Sequence, residues 1–95
     1  MRKLDIIKEA KEVFEIEINE MSKVRERIDD NFVRAVHMLK DVRGKVVVTG
    51  IGKSGIIGTK IAATLASTGT LAIFMHSAEG LHGDLGMITK DDIVI

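Results

Sequence analysis

The chain has no cysteine, tryptophan or tyrosine among its 95 residues, and only three phenylalanines. Without cysteine it can form neither disulfides nor thiolate metal sites, and that absence leaves the redox compartment open. Three phenylalanines are a thin stock for base-stacking platforms. An excess of charge is missing too: residues 1–44 hold ten residues of each sign and residues 45–95 hold four of each. Such a balance points away from nucleic acid or another polyanion as partner. The opening Met1-Arg2-Lys3-Leu4-Asp5 runs into charged helical sequence without the apolar stretch of a signal peptide. No run approaches the ~20 apolar residues of a membrane span. The expectation is one small cytoplasmic domain with no membrane partner, large enough for a core but with little margin in stability.

What is present is concentrated in Val46-Val47-Val48-Thr49-Gly50-Ile51-Gly52-Lys53-Ser54-Gly55-Ile56-Ile57-Gly58. Three β-branched residues in a row suit a strand covered on both faces, and Gly50, Gly52 and Gly55 let the chain turn where a side chain would block a ligand. A helix is expected to begin near Ser54. Its first N–H groups and the positive end of its dipole then form a site for a phosphate or carboxylate. A P-loop would need glycine at the position of Val47, so that reading fails. Gly50-x-Gly52-x-x-Gly55 does fit a dinucleotide fingerprint. The acid that should close the second strand is missing, however, because that strand ends Phe74-Met75-His76-Ser77 and Glu79 comes late. A sugar phosphate held by the loop, with charge from Lys53 and a hydroxyl from Ser54, is the third reading. A glycine-rich turn with no ligand is the fourth.

Around this stretch the chain is predicted to alternate helix and strand. Leu4, Ile7, Phe14, Ile18 and Met21 make one stripe that continues through Val24 toward Ile28. A helix of roughly 25 residues would be about 37 Å long. Either it breaks near Ser22 or its far end packs on another subunit, and the unfading stripe favours the second. Asp29, Asp30 and Asn31 are N-cap candidates for a second helix with Phe32, Val36 and Leu39 on its inner face and Gly44 as C-cap. His37 lies beside that face as a packing residue. After the glycine loop, Ile57, Ile61 and Leu65 form a ridge, beside a small-residue face of Gly58, Ala62, Ala63 and Ala66, and Gly69 stops the helix. Leu71–Met75 and Ile93–Ile95 supply two more strands. This is the βαβ pattern of a parallel α/β sheet. The division expected is a helical arm over residues 1–43 and a βαβ portion over 44–95.

His76-Ser77-Ala78-Glu79-Gly80-Leu81-His82-Gly83-Asp84 should lie at the carboxyl ends of the strands, beside the glycine loop. Glu79 and His82 are three apart, so one helical turn would let the carboxylate orient the imidazole for acid/base work. Asp84, between two glycines, reads as a loop-holding residue. His76, Glu79, His82 and Asp84 could also ligate a metal, but no diagnostic ligand spacing is present and no metal is assigned.

Gly50-Ile51-Gly52-Lys53-Ser54-Gly55, then Ala62-Ala63-Thr64-Leu65-Ala66-Ser67-Thr68-Gly69, then Glu79-Gly80-Leu81-His82-Gly83-Asp84-Leu85-Gly86 resemble, in that order, the sugar isomerase (SIS) domain of the D-arabinose 5-phosphate isomerase family. The resemblance implies a Rossmann-like, flavodoxin-like three-layer αβα domain, of which the N-terminal helices and first strands are present. It also implies interconversion of D-ribulose 5-phosphate and D-arabinose 5-phosphate for Kdo, lipopolysaccharide or capsule sugar synthesis, without an organic cofactor. By the same resemblance Lys53 and His82 fall on active-site positions and Ser54 on a loop that meets the phosphate; the isomerase reading takes Lys53 and His82 as catalytic with Glu79 as helper, and Gly50, Gly52, Ser54, Gly55 and His76 as binding the phosphosugar. Family members usually carry proline at the position of Ser77 and alanine at that of Gly80. In them a strand like Ile93-Val94-Ile95 leads into a serine-rich phosphate loop, so the chain is expected to be a fragment of a longer isomerase that lacks part of the site. A regulatory module that binds sugar phosphate without chemistry is the competing reading. The uncovered apolar stripe and the family's habit both point to a homo-oligomer.

Overall fold

In a computed structural model, residues 2–78 and 83–95 are described. They form two compact units, Met1–Arg34 and Ala35–Ile95. The first is dominated by α1, Lys3–Glu26. Asp5 in its first turn and Lys23 and Arg25 in its last complement the helix dipole. Lys23 and Glu20 pair at 3.0 Å on its surface, a contact of about 0.2–0.5 kcal/mol for such spacing on an exposed helix. The helix does not break at Ser22, whose hydroxyl donates to the Ile18 carbonyl at 3.1 Å while the backbone stays helical. No residue of α1 is buried, and Leu4, Ile7, Phe14, Ile18 and Met21 are all exposed.

The second helix, α2, spans Asp30–Lys40. Of the three expected caps, Asp29 is the one used: its carboxylate accepts the Asn31 N–H at 2.9 Å and its carbonyl the Phe32 N–H at 3.0 Å. Of the expected inner face only Leu39 packs on the core, and Phe32 and Val36 are exposed. Gly44 is not the C-cap, because the helix ends four residues earlier. Its N–H instead donates to the Asp91 carbonyl at 2.9 Å, and a Cβ there would run into the Asp92 carboxylate.

Three parallel strands follow, β1 (Val46–Gly50), β2 (Ala72–His76) and β3 (Ile93–Val94), in the spatial order β2-β1-β3. The triple valine takes the centre of the sheet, which is where a strand needs apolar side chains on both faces. Val46 and Val48 join Ala62, Ala72, Leu65 and Phe74 on one face, and Val47 and Met75 are buried outside that cluster. Full burial of a valine or methionine side chain is worth on the order of 1.5–3 kcal/mol. Between β1 and β2 runs α3, Gly52–Ser67. It lies on the sheet through Gly55, Gly58 and Ala62; a Cβ on Gly58 would come within 3.1 Å of Val48 and 3.2 Å of Phe74. The ridge expected from Ile57, Ile61 and Leu65 is therefore split. Leu65 packs against the core, while Ile57 and Ile61 are exposed, because the close approach selects the smallest side chains. The helix ends in a Schellman motif: Gly69, at φ +102°, donates to Ala66, and Thr70 donates to the Leu65 carbonyl at 2.9 Å.

Candidate functional site

Because β1 is central and the chain leaves it for β2 on one side and later returns to β3 on the other, the carboxyl end of β1 is a topological switch point. Ligands of open α/β sheets bind at such points. The register sets His76 of β2 directly beside Gly50 of β1. Two of the expected binding residues are thus neighbours across the sheet although 26 positions apart in sequence.

The helix after Gly50 starts at Gly52, two residues earlier than the sequence suggested. Gly52 adopts φ +58°, which lets the chain reverse before Lys53 instead of after it. Helical bonding begins with the Gly55 N–H donating to the Ile51 carbonyl at 3.2 Å, and no side chain caps the helix. The N–H groups of Gly52, Lys53 and Ser54 precede that first bond and therefore have no partner within the helix. Partial positive charge collects there. Gly55 is buried against the turn itself: a Cβ on it would lie 3.0 Å from the Gly50 carbonyl oxygen. Lys53 and Ser54 are exposed, and Lys53 makes no ion pair among the described residues. Both line a cleft of about 380 Å³ with Thr49, Ile57, Ile61 and Ile95.

At the end of β2 the His76 ring accepts the Ala78 N–H at Nδ1, 3.2 Å away. In the neutral ring this leaves the proton on Nε2, which is then a donor. Thr49 and Ser77 face one another with hydroxyl oxygens 3.3 Å apart, joining β1 to the start of the connection that follows β2. Neither hydroxyl stood out as a site candidate in the sequence, since only the register brings them together. Glu79 and His82 lie outside the described residues. Among the described residues no group of three or more metal-ligating side chains comes together.

The opposite, amino end of the sheet contains a group that sequence reasoning missed. Asp92, whose side chain is only 2% exposed, accepts the Lys45 N–H at 2.8 Å, the Lys45 ammonium at 2.8 Å and the Thr89 N–H at 2.7 Å. The Lys45 backbone N–H, the Lys45 ammonium and the Thr89 N–H together hold its carboxyl well below the usual carboxylate range. The only local signal was an aspartate next to an apolar strand, and the partner is 47 positions away.

A family model described as the SIS domain matches residues 38–95. The chain is 53% identical over 90 residues to arabinose 5-phosphate isomerase GutQ of Escherichia coli K12, an alignment covering 95% of this chain and 28% of that protein. To arabinose 5-phosphate isomerase KdsD of Pseudomonas aeruginosa it is 52% identical over 92 residues, with 97% and 28% covered. Among solved structures it superposes on a protein of E. coli CFT073 in complex with arabinose 5-phosphate with a TM-score of 0.89 at 44% identity, covering 99% of this chain and 50% of that one. A structure described as a sugar-phosphate isomerase of Listeria monocytogenes gives a TM-score of 0.88 at 28% identity, with the same coverage. The chain spans a little over a quarter of the length of these curated relatives and half that of these solved chains. No described helix is long and apolar enough to cross a membrane.

Proposed function

This chain belongs to the SIS domain family, and from that premise we propose that it carries the phosphosugar-binding end of an aldose–ketose isomerase that interconverts D-arabinose 5-phosphate and D-ribulose 5-phosphate. The observation that carries the reading is the uncapped N-terminus of α3 at the carboxyl end of the central strand, with Lys53 and Ser54 exposed beside it and His76 across the register. A phosphosugar supplies what such a cradle lacks, an anion with hydroxyls a few ångströms away. The relative of E. coli CFT073 binds arabinose 5-phosphate on the same fold, which supports that choice of ligand.

In this reading Gly50, Gly52, Ser54 and Gly55 receive the substrate with backbone N–H groups and the Ser54 hydroxyl, and the His76 Nε2–H donates to a sugar oxygen. Isomerisation takes a proton from the carbon beside the carbonyl and returns one to the former carbonyl carbon, through an enediolate, so atoms and electrons balance without a cofactor. His82 handles these protons with Glu79 as helper, and Lys53 stabilises the oxyanion that develops. The enzyme would act in the cytoplasm in the supply of Kdo, lipopolysaccharide or capsule sugars; the similarity to arabinose 5-phosphate isomerase KdsD supports the Kdo part of that reading. It would work as a homo-oligomer, since α1 presents an apolar stripe that its own unit leaves exposed.

The test is to titrate the protein with arabinose 5-phosphate and assay isomerisation on the same sample. Saturable binding with turnover is expected. Binding without turnover would instead support the regulatory module, and neither would remove the reading altogether.

A further inference from the structure

Lys45 uses its backbone and its side chain for two different tasks. Its carbonyl accepts the Ile93 N–H at 3.0 Å and its own N–H donates to Asp92 at 2.8 Å, so the backbone by itself docks β3 beside β1. The ammonium adds contacts that strand pairing does not require. It donates to the Asp92 carboxylate at 2.8 Å and to the Met87 carbonyl at 2.7 Å. Met87 is the last residue of a single 3-10 turn, Asp84–Met87, in the connection between β2 and β3.

That turn has little to hold it by itself. Its local bonds are the Gly86 N–H to the Gly83 carbonyl and, just beyond, the Ile88 N–H to the Leu85 carbonyl, each 3.1 Å. One isolated turn fixes several dihedrals for each hydrogen bond formed and is marginal in water. Leu85 is exposed and Ile88 half-buried, and they line a cleft of about 250 Å³ with Val47, Met75, Thr49 and Ser77. The ion pair is also unlike a surface pair of negligible value, since the two side chains are 20% and 2% exposed and the carboxylate has a donor on each oxygen.

We propose that Lys45 is a positioning residue whose ammonium, bridging Met87 and Asp92, fixes the 3-10 turn Asp84–Met87 against the sheet face below the phosphosugar site. The catalytic consequence rests on the function proposed above. In that reading Glu79 and His82 precede the turn in the chain, so Lys45 anchors the downstream end of the connection that carries them.

The experiment is amide hydrogen exchange in this protein and in its Lys45→Met variant, which keeps both backbone bonds and removes the bridge. The amides of Gly86 and Ile88 should exchange about tenfold faster or more, while those of Val47 and Val48 stay within about twofold. In the same samples, turnover per phosphosugar-binding site should fall about tenfold, with KM changed by less than about threefold because the glycine loop is untouched. Unchanged exchange at Gly86 and Ile88, or equal acceleration in β1, would overturn the proposal. Should Lys45→Met not fold, Lys45→Gln, whose shorter amide cannot span both acceptors, takes its place; failure of both to fold would also overturn it, by making the bridge a requirement of the whole unit. Wild-type protein that binds no arabinose 5-phosphate would end the functional reading, and the exchange comparison would still decide the role of Lys45.

Discussion

At the amino end of the sheet, Asp92 is shielded and satisfied by three donors, and Gly44 and Lys45 close around it. At the other end of the same central strand, four residues after Val46, the chain turns into Gly52, Lys53 and Ser54, which are exposed and carry N–H groups with no helical partner. The strands are continuous between the two. The difference teaches where this fold keeps its stability and where, on the proposed function, it keeps its chemistry. A polar group shielded by neighbours must be paired to be tolerated, whereas a site must leave polar groups unpaired until a ligand arrives. Substitutions at the two ends should therefore separate activity from stability.

The largest effect is expected at the open end. Lys53→Met should lower turnover of arabinose 5-phosphate about 100-fold or more, or about 2.7 kcal/mol of transition-state stabilisation. Because Lys53 is exposed and makes no ion pair among the described residues, the unfolding free energy should stay within about 0.5 kcal/mol. Steady-state kinetics and urea unfolding on one preparation check both halves.

Gly58→Leu should erase the distinction between the ends by lifting α3 from the sheet. The first added carbon already meets Val48 at 3.1 Å and Phe74 at 3.2 Å, and overpacking of this kind costs about 1–3 kcal/mol. Denaturant unfolding should show the loss, and phosphosugar affinity should drop with it, since α3 carries the loop.

Much of the fold was legible in the sequence, for reasons that differ from residue to residue. The triple valine, the glycine loop and Gly69 announced a buried strand, a turn and a helix stop, because each is a local constraint on backbone or burial. The order of helices and strands followed from periodicity, and the three motifs pointed to the family. What could not be read was set by contacts between distant residues. Gly44 looked like a helix cap, but its lack of a side chain serves Asp91 and Asp92. Ile57, Ile61 and Leu65 looked like one continuous ridge, but the Gly58 approach to Val48 turned the helix so that Ile57 and Ile61 remain exposed while Leu65 packs on the core. Lys45 with Asp92, and Thr49 with Ser77, became pairs only through the register. Of the candidate site, Gly50 and His76 are neighbours across the register, whereas Glu79 and His82 fall outside the described residues.

A smaller effect should come from Gly52→Ala. Nothing lies within 4 Å of the added carbon, so the whole cost is the backbone at φ +58°. For an L-residue in the left-handed region that is roughly 1–2 kcal/mol. Thermal unfolding should register it, and relaxation of the turn should weaken phosphosugar binding while leaving the Asp92 end unchanged.

The smallest effect near neutral pH, and one confined to the closed end, is acid sensitivity. The folded Asp92 carboxyl is held below its ordinary value of 3.8. Between the folded and unfolded values the unfolded chain therefore binds the extra proton, and stability falls as pH drops. The Asp92 contribution should be fully present above about pH 4 and be lost progressively below it. Unfolding curves at a series of acid pH values, compared with Asp92→Asn, should show a slope that the variant lacks.

The most direct test of the central claim, that the carboxyl end of β1 is a phosphosugar site, is to follow backbone amide resonances while arabinose 5-phosphate is added. Saturable shifts centred on Gly50, Gly52, Lys53, Ser54 and Gly55, with His76 moving and Lys45 and Asp92 still, are the predicted result. Saturation without shifts in that loop, or shifts centred on the Lys45 end of the sheet, would contradict it.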